Sequence, residues 1–306
     1  MHSFITGDAL LNYPHPSRRT AVTARGGMVA TSQPLAAQAG LAVLREGGNA
    51  VDAAVATAAA LTVVEPTSNG IGGDTFAIIW KEGRLHGMMA SGPAPSSISI
   101  ERLRSGGFES MPRFGWIPVT VPGTPGGWEA MNRRFGRLPM EQVLAPAVHY
   151  ASEGYPVSPV VARYWKRAAE VYGEAGELPG LAEWFRVFTR NGRAPAAGEL
   201  WRLPDHAGTL ELFARQGSRV LYEGELGNRV EEAARRAGGF LTAADLRNFS
   251  VEWVDPISVD YHGYTIWELP PHVQGIITLM ALNVYDRVSR GGVDRDMAVH
   301  LQIESL

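Results

Sequence analysis

Apolar positions along the 306 residues follow two rhythms, a three-to-four spacing that marks helix faces and an alternation that marks strands. PLAAQAGLAVLREGG keeps Leu35, Ala39, Ala42 and Val43 on one side, carries Pro34 in its first turn and stops at Gly47-Gly48, which predicts a helix. Asn49 caps a second helix over NAVDAAVATAAALTVVEP, with Asp52 near its positive end and Pro66 closing it. The many alanines predict close approach between these helices and their neighbours. The run Phe76–Trp80 reads as a strand, Glu82-Gly83 as a turn, and Arg84–Met89 as the returning strand. Trp116–Val121 predicts a further strand, which VPGTPGG turns into a helix near Pro125. Helical spacing recurs over Met140–Glu153, Pro159–Val171, Asp205–Gln216 and Leu226–Ala237, and Leu241–Leu246 holds a capping box. Ile257–Tyr261 and Tyr264–Glu268 alternate about His262-Gly263 as a hairpin. Two strand clusters bracket a helical middle, which predicts one layered α/β or α+β domain. Asp294 opens a last helical pattern, DRDMAVHLQIESL, in which Val299, Ile303 and Leu306 leave the apolar stripe open; we expect that helix to be cut short.

Composition removes several classes of function. Apolar residues at 45% and charged residues at 19% describe a folded chain, and a formal charge of −3 gives no electrostatic footprint for nucleic acid or anionic lipid. The absence of cysteine excludes disulfides, thiolate metal sites and cysteine nucleophiles. The first residues lack a secretory pattern, and the most apolar stretch, Ala50–Val64, is too short and alanine-rich to span a bilayer. A cytoplasmic location, without membrane or nucleic-acid partners, is the expectation.

The stretch EPTSNGIGGDTFAIIW invites a phosphate reading, because glycine loops close backbone N–H groups around anions. Its context opposes this: a helix precedes the loop and a strand follows, the reverse of a nucleotide site, and the glycine spacing fits neither nucleotide fingerprint. The plainer reading is a helix-to-strand turn in which Gly70, Gly72 and Gly73 take positive φ or allow close packing. Chemistry elsewhere is sparse. His300 and Glu304 share a helix face without a third ligand, Asp205 reads as an N-cap beside His206, and His262 and His272 have similarly plain roles. Glu129, Glu141 and Asp245 are placed in first turns to serve helix dipoles, while Trp128 and Trp253 read as core. Neither a metal nor a cofactor is expected. Such an inventory leaves two options: a chain that binds without catalysing, or a catalytic group that lies elsewhere.

A resemblance favours the second. GGNAVDAAVATAAALTVVEPTSNGIGGDTF, VPGTPGGWEAMNRRFGRLP, LAPAVHYASEGYPVSP, GGFLTAADLRNF and YHGYTIWELPPHVQGI resemble, in order, blocks of the large-subunit portion of γ-glutamyltranspeptidases and their acylase-like relatives. The resemblance runs from about Gly26 to the end. It implies an α+β fold of the N-terminal-nucleophile hydrolase type, an αββα sandwich of two sheets between helical layers, of which this chain supplies only part. It also implies a precursor that cuts itself, exposing a threonine whose hydroxyl attacks an amide while its own α-amine acts as base. No threonine here lies in the family's cleavage context, so no catalytic residue is expected in these 306 residues. The implied partners are the small subunit of the same precursor and a small γ-glutamyl or acyl amide. Without that subunit, exposed sheet edges should drive dimerisation or aggregation.

In transpeptidases an arginine after the second strand clamps the substrate carboxylate. The matching stretch here is Met89, Ala90 and Ser91, with Met89 in the arginine's place and Arg113 as a nearby substitute. Asp74 stands where transpeptidases carry another glycine, and Val273-Gln274-Gly275-Ile276 replaces a serine-serine-glycine-glycine run. These departures are more similar to the acylase and amidohydrolase branch. Asp74 is expected to cap or pair locally. A standalone, inert homologue that binds or scaffolds is the alternative.

Overall fold

The computed structural model describes residues 22–176 and 178–306. Helix α1, Pro34–Arg45, is capped by Gln33, whose side chain accepts from the N–H groups of Leu35 and Ala36. It buries Ala36, Ala39, Gly40 and Val43. Helix α2, Ala50–Val64, starts in a capping box in which Asn49 and Asp52 exchange side-chain and backbone bonds. The two helices cross at Gly40, where a Cβ would press on Thr57 and lie 3.1 Å from the Ala53 carbonyl oxygen. Small residues permit that approach, as the alanine pattern predicts, and α2 is buried on nearly all sides.

Strands β1 (Thr75–Lys81) and β2 (Arg84–Ala90) pair antiparallel from Thr75↔Ala90 to Lys81↔Arg84. Positive φ at both Glu82 and Gly83 makes their turn the two-residue type that matches strand twist. One face of the pair turns Ala77, Ile79 and Met88 toward the helices. The other carries Phe76, Ile78 and Trp80, which remain 42%, 40% and 66% exposed.

A helical middle follows. After the short α3 (Ile100–Ser105) come α4 (Thr124–Phe135) and α5 (Met140–Glu153). Asp52 ties this region to α2: fully buried, its carboxylate accepts from Asn132 Nδ2 (2.9 Å), Arg137 N (2.9 Å) and Leu138 N (3.4 Å) besides Asn49 N (3.0 Å). The bridge of β3 (Tyr155–Pro156), α6 (Pro159–Glu174), α7 (Leu181–Phe188), β4 (Leu200–Trp201) and α8 (Pro204–Gln216) complete the larger core. Trp165 anchors it, donating to the Phe188 carbonyl at 2.8 Å and standing edge-on to Trp201. A smaller core joins Val121 to α9 (Arg219–Tyr222), α10 (Glu225–Arg236) and α11 (Ala243–Arg247).

Strand β5 (Glu252–Val254) adds to β2, leaving β1 at the sheet edge. Strands β6 (Ile257–Tyr261) and β7 (Tyr264–Glu268) form a separate hairpin, turned at His262 and Gly263 and packed against α12 (Gly275–Val288). Helix α13, Arg295–Glu304, is capped by Asp294 and exposes Val299 and Ile303. The architecture is thus mixed α+β with three small separate sheets among the described residues. No helix of the described residues is long and apolar enough to cross a membrane.

Three expectations are corrected. Trp116–Val121 forms no strand: Pro118 removes a donor, Gly115 takes φ 91°, and the Trp116 side chain is wedged against Gly180 and Gly239. Glu129 lies beyond the first turn of α4 and accepts from the Ser218 N–H (3.0 Å) and hydroxyl. Asp205 is not the N-cap of α8, which is Leu203; it accepts from Arg186 at 3.0 Å.

Candidate substrate-binding site

Three of the resembling stretches converge at the end of β2. The Gly73 carbonyl accepts from both Gly123 N and Thr124 N at 2.9 Å, and Val121 N donates to Pro93 O at 3.1 Å. Asp74 Oδ1 accepts from Gly92 N at 3.3 Å, the local pairing expected of it. Thr75 and Thr124 join through their hydroxyls at 3.2 Å. The Tyr222 hydroxyl locks the far side, accepting from Gly126 N (3.1 Å) and donating to Pro122 O (2.8 Å); burial pushes its pKa up and keeps it protonated.

This crossing depends on two glycines. A Cβ on Gly92 would overlap the Val121 carbonyl, and one on Gly123 would overlap the carbonyl of Ala90. The glycines of the preceding loop behave otherwise. None of Gly70, Gly72 and Gly73 takes positive φ, and a Cβ on Gly70 or Gly72 would meet nothing within 4 Å. The expected turn therefore needs neither of those two as glycine.

Of the stretch Met89–Ser91, Met89 (3% exposed) and Ala90 are buried in the sheet, and only Ser91 offers a polar side chain at the surface. Across from it lies His272, in the loop between β7 and α12, with Nε2 at 2.5 Å from Ser91 Oγ. The plain role assigned to His272 missed this contact, which spans 181 residues. Its only sequence signal is its place inside the block PPHVQGI. Arg113 is not brought in; it is exposed and its guanidinium stacks 5.2 Å from the Phe114 ring. The structure thus gathers Asp74, Ser91 and His272.

Ser91 and His272 are within the reach of a nucleophile and its base. The N–H following Ser91 is already taken by the Asp74 carboxylate, however, and a carboxylate there opposes a developing oxyanion. The arrangement suits binding and orientation. On the other side of the loop, Ile71, Gly72, Pro122 and Pro125 border a cavity of about 1030 Å³ that Trp184 and His206 also line. Burial lowers the pKa of His206, with Asp205 opposing, so the imidazole there is held toward its neutral form. His300 and Glu304 are exposed on α13, and no group of three or more metal-ligating side chains occurs among the described residues.

The chain is similar to known proteins over most of its length. The family model described as Gamma-glutamyltranspeptidase matches residues 36–306. The glutathione hydrolase-like YwrD proenzyme of Bacillus subtilis is 35% identical over 260 residues, covering 85% of this chain and 48% of that protein. The oxamate amidohydrolase proenzyme of Klebsiella pneumoniae is 36% identical, covering 91% and 53%. A crystal structure of cephalosporin acylase from Bacillus halodurans superposes with a TM-score of 0.91 at 49% identity, covering 96% of this chain and 55% of that one. The chain spans about half the length of these relatives. It belongs to the gamma-glutamyltranspeptidase family.

Proposed function

We propose that these residues are the large-subunit part of an N-terminal-nucleophile amide hydrolase or acyl transferase, working with a threonine-led small subunit of the same precursor. The crossing of Gly92 and Gly123, with Ser91 and His272 at its surface, serves as one wall of the acyl-binding cleft. The sheet, in this reading, is one part of the family's αββα sandwich. Met89, Ala90 and Ser91 occupy the carboxylate-clamp position, and Ser91 is the one that meets substrate.

The observation that carries the proposal is the uncovered apolar face of β1. Phe76, Ile78 and Trp80 stand exposed on a seven-residue edge strand, and Ile277, Met280, Val284 and Val288 form an exposed stripe on α12. Faces of this kind are normally covered. Proenzyme relatives of about twice the matched length supply a covering: the second half of the precursor.

The test is expression from the complete reading frame, followed by intact mass and by turnover of γ-glutamyl-p-nitroanilide and glutaryl-p-nitroanilide. Self-cleavage ahead of a threonine, with turnover of either amide, is the expected result. A single uncleaved chain inert toward both would refute the proposal.

A further inference from the structure

We infer that the cavity of about 1030 Å³ between the two cores is a binding site for a small, uncharged aromatic molecule that carries one hydrogen-bonding group such as a hydroxyl. Nothing in this reading depends on the acyl cleft.

Three helices each turn one face to the cavity. From α8 come Gly208, Leu212 and Arg215, at helical spacing. Helix α7 gives Trp184 and Phe188, and α10 gives Leu226 and Val230. Phe213 belongs to the larger core and Trp116 packs on the smaller, so the cavity lies along the seam between them, where small-molecule sites are common. Its walls are aromatic. Trp116, Trp184 and Phe188 are half-buried and Phe213 is buried, and such rings favour a flat aromatic partner over an aliphatic one. Charge is confined to the mouth, where four arginines and five carboxylates, all exposed, line it among the described residues. Neither sign of ligand charge is favoured, so the cost of desolvating one would not be offset. Inside, the Thr209 hydroxyl already donates to the Asp205 carbonyl at 2.8 Å, which leaves His206. Its ring stands edge-on to Phe188 at 5.6 Å, makes no hydrogen bond among the described residues and is held toward its neutral form by burial. A neutral imidazole offers one N–H donor and one acceptor nitrogen, and a hydroxyl can pair with either. Gly208 points the same way. Glycine is unfavourable inside a helix, and here no neighbour requires it, because a Cβ would meet nothing within 4 Å. What the missing side chain keeps open is the cavity itself.

The experiment is calorimetry on the protein from its complete reading frame, with 2-naphthol as probe. Its counterparts are 2-methylnaphthalene, which lacks the hydroxyl, and 2-naphthoate, which adds a charge. One saturable site for 2-naphthol is expected, with a Kd of about 10–100 µM, and each counterpart should bind roughly tenfold more weakly. His206→Phe should bind 2-naphthol no better than 2-methylnaphthalene. Gly208→Leu should abolish 2-naphthol binding and Gly208→Ala should retain it, while both unfold in urea at or above the wild-type midpoint. If Gly208→Leu does not fold, the discrimination lost in His206→Phe decides. Absence of a saturable site, equal affinity for the three probes, or wild-type discrimination in H206F overturns the inference, as does wild-type affinity in a folded G208L.

Discussion

Replacing Gly92 by alanine should break the crossing on which the site is built. A Cβ there would lie 2.5 Å from the Val121 carbonyl carbon and 2.7 Å from its Cβ, closer still to the carbonyl oxygen. Carbon contacts settle near 3.5–4.0 Å, so one segment must retreat by roughly 1–1.5 Å. Neither has room: Ala90 and Val121 on the two sides are fully buried. The retreat stretches the Val121 N to Pro93 O bond beyond use and pulls Gly92 N from Asp74, about 1 kcal/mol each, and opens a packed contact. We expect a loss of about 3–4 kcal/mol, which at an m-value of roughly 3 kcal/mol/M lowers the urea midpoint by about 1 M. Ser91 moves with the segment, and a displacement of ~1 Å at a binding wall can cost about 100-fold in turnover. Gly70→Ala is the control: its Cβ meets nothing within 4 Å and φ is not positive, so its midpoint should stay or rise slightly. A G92A midpoint within about 0.2 M of wild type would refute the steric argument.

Other consequences can be measured on the same protein. Asp52→Ala leaves three backbone N–H groups and the Asn132 amide without their acceptor in a buried site; a loss of about 3–5 kcal/mol is expected in urea unfolding, with Asp52→Asn losing distinctly less. An equal loss for both variants would show that charge and acceptor number do not matter there. Burial alone would raise the Asp245 pKa, but bonds from Ser96 N and from Thr242 outweigh it and hold the carboxyl below its usual value. Its contribution is therefore complete above an unfolded value near 3.9 and is lost as pH falls through the lower folded value; Asp245→Asn should flatten the stability profile below about pH 4. A parallel profile would remove that role. Trp80→Thr with Phe76→Thr should leave helix content intact and lower the melting temperature of the complete protein, since each buried aromatic is worth about 2 kcal/mol. An unchanged melting temperature would mean that nothing covers this face.

Local signals explain which parts of the fold were legible. Both hairpins followed from alternation and from glycine at the second turn position, because each turn needs positive φ at two residues. The helix at Thr242 is marked by a capping box that forms as written, and the one at Asn49 by an N-cap that the structure completes into a box with Asp52. Helix α12 escaped notice because its N-cap, Gln274, makes no capping bond and its first residue is glycine. Its apolar stripe also faces outward, so it marks no core. Helix α7 follows a left-handed Gly180, a conformation the sequence does not announce. The site was half visible. The stretches that cross could be quoted from sequence, but the Ser91 contact with His272 closes over 181 residues and has no local signature.

The anchoring of Asp52 has a consequence for how the molecule assembles on the ribosome. When the first helical pair emerges, this carboxylate has only its own Asn49 N–H to receive; the donors at Asn132, Arg137 and Leu138 are synthesised some eighty residues later. The first helical pair alone therefore leaves most of the acceptor capacity of this buried carboxylate unmet, and its burial depends on chain made later. A single acidic side chain, placed early in the chain, is completed by donors placed late.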